Sequence, residues 1–413
     1  MTELSLAAEF PALTQADWMK RVEAVLKGAS FEEKLVHTTS DGIRLEPLYG
    51  QMAGPRAERP ELAPWTLFQR VDHPDPAKAN SQAMDDLRGG ATGLVLVEKG
   101  SPTARGFGVD FAELPRMLNG VELHAVALRI DGSFEAARAL AKFISTRPVD
   151  PERLNVSWGH NHVGVALDLI ASGFSGAMLE ADGRVWHEQG ATPAQELGAV
   201  LAQTTLNLEA ADYPALSITL AADQDMFGTL AKFRAMRLLW ARMLEYCDFE
   251  VPTLVLHAET SFRMMGSLDP HINILRSVAA VFGAGLGGAD SISVLPFSLT
   301  QGLPNSFARR VARNVQTVLL EESNLWRVAD PASGSGYVEH LTNELCAKAW
   351  RIFQKAMHMD PSDNGHDSKK EGAADRAFGW PKPVAANPAS LPVIGTRVYR
   401  LPTEYSAEVE KLP

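Results

Sequence analysis

Short apolar runs alternate with segments of helical period along most of the chain. Apolar residues recur at helical spacing near residues 76–88, 134–145, 192–208, 226–246 and 271–283, and again in 305–322 and 337–358. The apolar runs that predict strands are Leu94–Val97, Val121–Ile130, Leu216–Leu220, Thr253–His257 and Ile292–Leu295. This alternation predicts repeated βα units around a parallel sheet. The spread of the strands from residue 94 to residue 295 favours a closed barrel, although periodicity alone leaves an open sheet as an alternative.

The two ends of the chain have a different character. Thr14 and Asp17 form a capping-box pattern that starts a helix ending at Gly28. Residues 50–64 are rich in proline and glycine, as are the polar residues 359–390. We therefore predict three parts, which are an arm and linker over 1–62, a barrel over 63–358, and a polar loop with a tail over 359–413.

Composition narrows the class of partner. The chain is 46% hydrophobic and 22% charged, typical of a globular protein, and its net charge of −11 argues against nucleic acid and anionic membranes. Cys247 and Cys346 lack the spacing of a disulfide framework or a zinc site. The sequence contains no uninterrupted apolar run of about 18 residues and no secretory signal pattern at its start, so we predict a cytoplasmic protein without a membrane span.

Two motifs suggest ligands but have simpler explanations. Residues 283–288 match the Gly-x-Gly-x-x-Gly pattern of dinucleotide-binding loops. That mechanism needs a strand before the glycines and a helix after them, whereas here a helix precedes and a strand follows, so we predict a tight turn. His160 and His162 have the alternate spacing of a metal pair. They lie beside glycines with no carboxylate at a companion spacing, so we predict no metal site.

Two further groups of residues have competing interpretations. His257 and Glu259 lie at a strand end and face a barrel mouth in one interpretation, whereas in the other His257 only bonds a neighbour. Arg309, Arg310 and Arg313 have the spacing of one face of an amphipathic helix. We interpret that face as solvated or as an interface rather than as a phosphate site.

Four segments carry a family resemblance. They are Pro270-His-Ile-Asn-Ile-Leu-Arg276, Ser291-Ile-Ser-Val-Leu-Pro-Phe297, Ala312-Arg-Asn-Val-Gln316 and Asp330-Pro-Ala-Ser-Gly-Ser335. In this order and spacing they resemble the acyl-CoA-binding barrel of methylmalonyl-CoA mutases. The resemblance implies a (β/α)8 TIM barrel with an N-terminal helical arm and a C-terminal helical extension. It also implies radical chemistry on acyl-CoA thioesters with adenosylcobalamin.

The chain departs from the catalytic subunits of that family at the positions that matter most. Their Arg-Gln-Tyr segment corresponds to Phe68-Gln69-Arg70, and the histidine of their Ser-Leu-His-Thr-Asn segment corresponds to Ser293. The resemblance thus places Phe68, Gln69, Arg70 and Ser293 in the substrate channel, where bulky Phe68 and Arg70 are expected to plug it. His187 lies two positions out of register with the family's Tyr-His histidine, an offset that on a strand would keep it on the same face.

These departures resemble the small, non-catalytic subunit of the heterodimeric members. The resemblance then implies that adenosylcobalamin is supplied through a partner chain, since Asp363-Asn-Gly-His366 has the wrong spacing for the family's cobalt-binding motif. The implied partner is a large mutase subunit, with a homodimer as a substitute. Two alternatives stay open. One is an active barrel that uses a separate cobalamin-binding chain, with His187 and His257 as donors, and the other is a free-standing scaffold that binds CoA thioesters.

Overall fold

A computed structural model describes residues 13–57, 59, 62–210, 213, 215–247, 253–358 and 406–410. Its centre is a sheet of eight parallel strands in which consecutive strands along the chain are neighbours at all but one step. The strands are β1 Thr66–Val71, β2 Gly93–Val97, β3 Ala127–Asp131, β4 Val156–Ser157, β5 Leu179–Asp182, β6 Ala215–Ala222, β7 Thr253–Thr260 and β8 Ser291–Ser293. β8 also pairs with β1, so the order runs around a ring.

The ring closes between β4 and β5. Ser157 bridges Ala177 in the parallel sense, just before β5 begins. The Trp158 amide donates to the Ala177 carbonyl at 3.0 Å, and the Ala177 amide donates to the Val156 carbonyl at 3.0 Å. The predicted (β/α)8 barrel is therefore confirmed.

Helices surround the barrel and extend it at both ends. They are α1 Gln15–Leu26, α2 Phe31–Leu35, α3 Pro76–Arg88, α4 Leu114–Met117, α5 Phe134–Ser145, α6 Val163–Ala171, α7 Gly183–Glu188, α8 Pro193–Ala210, α9 Met226–Cys247, α10 Ile272–Leu286, α11 Ser306–Thr317 and α12 Gly336–His358. A π-helical turn, Val318–Glu322, continues α11. The core lies between strands and helices, where outward strand residues such as Leu94, Leu96 and Leu256 are fully buried.

The N-terminal arm has the predicted helix. The Thr14 side chain accepts from the Asp17 amide, and the Asp17 carboxylate accepts from the Thr14 amide, which completes the capping box. α1 has no buried residue. A hairpin of two-residue strands, His37–Thr38 and Arg44–Leu45, then leads towards the barrel.

Some strand predictions need correction. The run Val121–Ile130 is a strand only from Ala127, and the strand ends at Asp131. β4 and β5 were not predicted, because β4 has two residues and β5 carries inward carboxylates that interrupt the apolar pattern. The helix predicted over 305–322 changes to a π turn after Thr317.

The glycines at 283–288 form a tight turn after a helix, as predicted. They end α10, and β8 follows. A Cβ at Gly283 would lie 2.6 Å from the Met226 carbonyl oxygen, and one at Gly285 would lie 2.8 Å from the Trp65 ring. These glycines therefore let α10 pack closely against α9 and β1.

The tail touches the barrel in the segment between β8 and α11. Val409 bridges Pro304, and the Glu410 amide donates to the Leu303 carbonyl at 2.8 Å. Residues 359–405, including the predicted loop and Asp363-Asn-Gly-His366, lie outside the described residues. The division at 62/63 and 358/359 stays a prediction. Within the described part of the chain, no helix is both long enough and apolar enough to cross a membrane.

Candidate functional site

Arg70 lies at the centre of the barrel interior. Alternate residues of β1 point inward, so the Arg70 side chain reaches the axis, where it is almost completely buried. Its Nη1 lies 3.1 Å from Glu259 Oε2 on β7 and 3.6 Å from Asp131 Oδ2 on β3, and its Nε lies 3.2 Å from Asp72 Oδ2. One guanidinium thus connects carboxylates from three directions.

Two further arginines extend this ion-pair network. Arg184, from α7, donates through Nη1 to Asp131 at 3.0 Å and lies 3.1 Å from Glu259. Arg129, on β3, pairs with Glu180 and donates to Ser217 Oγ at 3.2 Å. We call these residues the interior network, namely Arg70, Asp72, Arg129, Asp131, Glu180, Arg184 and Glu259.

The network controls the ionisation of its members. Burial alone would raise the pKa of Asp131, but the neighbouring Arg184 and Arg70 guanidinium groups bring that pKa well below its usual range. Burial raises the pKa of Glu180 despite the opposing effect of Arg129. Removing a charged partner from such a site would leave a buried carboxylate without compensation.

A small apolar cluster lies beside the network in the barrel interior. Phe68 packs with Val95, Val97, Ala104 and Ala127. Gly93 accommodates the ring, since a Cβ there would lie 2.5 Å from it. Phe68 and Arg70 therefore both point into the barrel, in two successive layers.

Gln69 points the other way. Its Nε2 donates to Asp86 Oδ1 at 3.3 Å and to the Arg309 carbonyl at 3.0 Å, between β1 and the helices. The side chain is on the outer face of the strand because it lies between two inward residues. The structure therefore places Gln69 outside the predicted substrate channel.

The arginines of α11 need a correction. Arg309 and Arg313 were interpreted as part of a solvated or interface face, but both are buried within the chain and share the carboxylate of Asp86 on α3. Only Arg310 of the three is exposed. The amphipathic pattern gave the wrong prediction because it does not show the neighbouring helix. Asp86 on α3 pairs with both guanidinium groups, so this charged face can be buried.

Ser293 and His257 lie inside the barrel. Ser293 Oγ donates to Glu259 Oε2 at 3.2 Å, so it belongs beside the interior network. His257 Nδ1 lies 2.8 Å from Ser291 Oγ, and its ring meets the Phe68 ring edge to face, with centroids 5.5 Å apart. Burial holds the pKa of His257 well below its usual value. The interpretation in which His257 bonds a neighbour agrees with this geometry.

His187 lies in α7 rather than on a strand, so the argument from an even strand offset was wrong. Its Nε2 lies 2.7 Å from Ser261 Oγ, and its Nδ1 lies 3.5 Å from Glu196 Oε2. Lys232 Nζ is 2.7 Å from the same Glu196 oxygen. Burial alone would raise the pKa of Glu196, but Lys232 and the bond to His187 lower it to about 2. Burial lowers the pKa of His187.

A loop covers the carboxyl end of the barrel. Arg70 Nη2 donates to the Thr103 carbonyl at 2.9 Å, which ties the segment after β2 to the interior. Arg105 in the same segment pairs with Glu188 and stacks on Phe262, 4.6 Å from the ring centroid. The interior network and the loop above it thus hold each other in place.

The predicted histidine pair has local partners. His162 caps α6, where its Nδ1 accepts from the Val165 amide at 3.3 Å. The His160 Nδ1 accepts from the His162 amide at 3.1 Å. Across the described residues, no group of three histidine, cysteine or acidic side chains is placed to hold a metal ion.

Three histidines near the described barrel mouth are buried. They are His73, His160 and His187, which follow β1, β4 and β5, whereas His162 beyond β4 is exposed and caps α6. His73 Nδ1 accepts from the Asp75 amide and its Nε2 faces Glu410, while His187 is engaged at both nitrogens. These three buried imidazoles therefore offer no exposed ring nitrogen to a corrin.

Sequence reasoning missed most of the interior network. Arg129 and Asp131 end a strand in an apolar run, and Glu180 and Asp182 belong to a strand that was not predicted. The available signal was alternation, since Arg129 and Asp131 are two residues apart, as are Glu180 and Asp182. Charged residues at period two on strands of a closed barrel indicate a polar interior.

Taken together, these features define a (β/α)8 barrel whose carboxyl-end interior is occupied by ion-paired side chains. The family model described as "Methylmalonyl-CoA mutase" matches residues 177–360. The chain belongs to the methylmalonyl-CoA mutase family.

Relatives with curated names agree with this assignment. The "Methylmalonyl-CoA mutase small subunit" of Streptomyces virginiae is 38% identical over 86% of this chain and 65% of its own length. The protein of that name from Propionibacterium freudenreichii subsp. shermanii is 31% identical over 96% of this chain and 71% of its own. The "Methylmalonyl-CoA mutase" of Rhizobium meliloti is 26% identical over 96% of this chain and 65% of its own. The chain therefore spans about two thirds of the length of these relatives.

Proposed function

We propose that this chain is a small-subunit-type barrel of an adenosylcobalamin-dependent acyl-CoA mutase, without turnover of its own. It acts with a larger barrel chain, through which adenosylcobalamin is supplied, in the cytoplasm. The names of the Streptomyces and Propionibacterium relatives support a role as one of two unlike subunits. The two unpaired cysteines, Cys247 and Cys346, suit a reducing compartment.

The observation that carries the proposal is the position of Arg70. A mutase must enclose an acyl-CoA thioester along the barrel axis and seal it from water. Here Arg70, Arg184 and their carboxylates occupy the axis, and Phe68 fills the layer below. An acyl chain on the axis would have to break these buried ion pairs, which costs several kcal/mol for each buried ion left without a partner.

The same geometry weakens the alternative of an active barrel. That alternative needs donors to a thioester carbonyl, with His187 and His257 as candidates. His187 is engaged at both ring nitrogens, and His257 lies at the level of Ser291, bonded to it and packed on Phe68. Neither ring is exposed to a ligand at the mouth.

The test combines binding with reconstitution. We expect titration calorimetry of the purified chain with methylmalonyl-CoA to show no binding at about 1 mM, a concentration at which even a weak specific site is seen. Mixed with a large mutase subunit that carries cobalamin, the chain should form a one-to-one complex with one corrinoid and one active site. Turnover of that complex should be unchanged by His257→Gln.

Other results would support the alternatives. Turnover by this chain with a small corrinoid-binding protein would establish an active barrel. Tight binding of CoA thioester by the isolated chain, without a partner, would establish the scaffold.

A further inference from the structure

A cavity of about 230 Å³ lies between α3 and α11 on the outside of the barrel. The charged and polar residues that line it include Asp85, Asp86, Ser306, Arg309, Arg310 and Arg313. Since a water molecule takes about 30 Å³, the cavity has room for a tetrahedral anion together with a few waters. We call it the arginine cavity.

Two arginines of α11 share their carboxylate partners on one side of this cavity. Arg309 and Arg313 both pair with Asp86. Arg309 Nη1 also lies 3.5 Å from Asp72, but Arg70 contacts that carboxylate as well. The two guanidinium groups therefore have less negative charge around them than they carry themselves.

Both of these guanidinium groups keep unused N–H donors. The Nε atoms of Arg309 and Arg313 are buried and make no hydrogen bond to any described residue, which is typical of a place where a water or an ion binds. Arg313 donates through Nη1 to Asp86 at 2.6 Å, and its side chain is 11% exposed. With Nε buried and Nη1 bound, Nη2 is the part of Arg313 that reaches the cavity. Gly89 makes room for this group, because a Cβ there would lie 2.3 Å from Arg313 Cζ.

Arg310 supplies a third guanidinium group at the open side of the cavity. It is exposed, it stacks over Phe307 at 5.5 Å from the ring centroid, and it has no ion-pair partner in the described part of the chain. Ser306, in the first turn of α11, is exposed on the same wall, where the positive end of the helix dipole attracts an anion. The other acid of the cavity, Asp85, pairs with Arg88 at 2.7 Å.

This set of donors fits a small tetrahedral oxyanion. Guanidinium groups bind phosphate oxygens through paired N–H donors, and a tetrahedral anion can direct its oxygens to Arg310, Arg313 and Ser306 together. A ligand with a second negative group outside the cavity would meet the exposed carboxylate of Asp85. The net charge of −11 has little effect, because charges more than about 8 Å away are largely screened at physiological ionic strength.

We propose that the arginine cavity binds free inorganic phosphate through Arg310, Arg313 and Ser306. The site lies outside the barrel, so the inference does not depend on the proposed function. The sequence did not favour a phosphate site here, because it does not show that residues of α3 and α11 line one cavity.

Phosphorus-31 NMR tests the proposal by titrating the purified chain with inorganic phosphate up to about 50 mM at constant ionic strength. We expect saturable broadening of the phosphate line with a Kd of about 1–10 mM, as for a few charge-assisted hydrogen bonds at a half-open site. Arg310→Gln should raise that Kd at least about tenfold, the effect of losing one such bond.

Arg138→Gln is the matched control. Arg138 on α5 is also exposed and also stacks over a phenylalanine, Phe134, at 5.7 Å from the ring centroid, but it lies outside the cavity. This variant should keep the native Kd. Because Arg138 and Arg310 are both exposed, neither substitution should unfold the chain, and circular dichroism checks this.

A second variant tests the part played by Arg313 without removing it. Gly89→Ala places a methyl group where the Arg313 guanidinium lies, while the φ of −84° at this position is open to alanine. The displaced guanidinium can no longer hold its position in the cavity, so we expect the Kd for phosphate to rise about tenfold in this variant as well.

Adenosine 3′,5′-bisphosphate separates a free anion from a phosphate ester, and we expect it not to compete with phosphate. Absence of saturable broadening would overturn the proposal. So would a Kd that Arg310→Gln and Gly89→Ala leave unchanged, an equal loss of binding in Arg138→Gln, or an ester that competes as well as phosphate itself.

Discussion

Arg70 donates a hydrogen bond of 2.9 Å to the backbone carbonyl of Thr103, while its other nitrogens engage carboxylates inside the barrel. The residue that fills the interior therefore also fixes the loop above it. A tyrosine at this position, as in catalytic relatives by resemblance, has one hydroxyl and cannot make these contacts together. Under the proposed small-subunit role, Arg70 makes the interior complete in itself without a ligand.

The first prediction concerns the stability that Arg70 provides. Arg70→Met keeps much of the volume but leaves Glu259, Asp131 and Asp72 with one buried cation fewer. We expect the free energy of unfolding to fall by about 3–5 kcal/mol, the usual cost of breaking a buried pair. Urea denaturation followed by circular dichroism measures it.

Arg88→Met is the control for that experiment. Arg88 forms an exposed ion pair with Asp85 on α3, so its loss should leave the midpoint almost unchanged. Equal effects of the two substitutions would show that the interior network contributes little.

The second prediction concerns acid stability and His160. Burial lowers the pKa of His160 from 6.5 to about 4, so the unfolded chain binds this proton more readily than the folded one. Stability from this group is fully present above pH 6.5 and is lost as the pH falls from 6.5 to about 4. The loss amounts to at most about 3 kcal/mol.

His160→Gln removes that titration. The difference in unfolding free energy between the native chain and the variant should change with pH between 6.5 and 4 and stay constant above it. His187 and His257 also have lowered pKa values and act in the same direction in both proteins, so they cancel from the difference. A difference that does not vary with pH would contradict the prediction.

The sequence predicted the outer layer of the fold better than the inner one. α3 and α5 have the bounds that their apolar spacing predicted. In an amphipathic helix the buried residues recur every three or four positions, so the buried face is visible in the sequence. The barrel interior has no such rule, since its side chains are chosen to fit each other across the axis. Glu180 and Arg129 are compatible only as a pair, and no single segment shows that pair.

The candidate site was predicted in part for the same reason. Phe68, Arg70 and Ser293 were found through resemblance, and all three point into the barrel. Gln69 was included because it adjoins them in sequence, although neighbouring strand residues face opposite sides. His187 was expected on a strand, and only the structure shows that α7 carries it to Ser261.

The third prediction concerns the glycines that end α10. Gly283→Ala would place a methyl group 2.6 Å from the Met226 carbonyl oxygen, which neither helix can avoid without moving apart. We expect a loss of about 1–3 kcal/mol in unfolding free energy, typical of overpacking. Gly50→Ala is the control, because a Cβ there meets no atom within 4 Å. Unchanged stability of Gly283→Ala would mean that close packing is not the reason for this glycine.

The fourth prediction concerns the two thiols. Burial raises the pKa of Cys346 to about 12, and its Sγ lies 3.7 Å from the Ala235 carbonyl in the contact between α9 and α12. At pH 8 only about one thiol in ten thousand would be the reactive thiolate. Cys247 lies at the end of α9, where partial burial and the neighbouring Glu209 raise the pKa of its thiol. We expect iodoacetamide to modify Cys247 first, with Cys346 at least about tenfold slower.

Peptide mass spectrometry at timed intervals separates the two sites, and unfolding in guanidinium chloride should make their rates equal. Equal rates in the folded chain would contradict the burial of Cys346 between these helices.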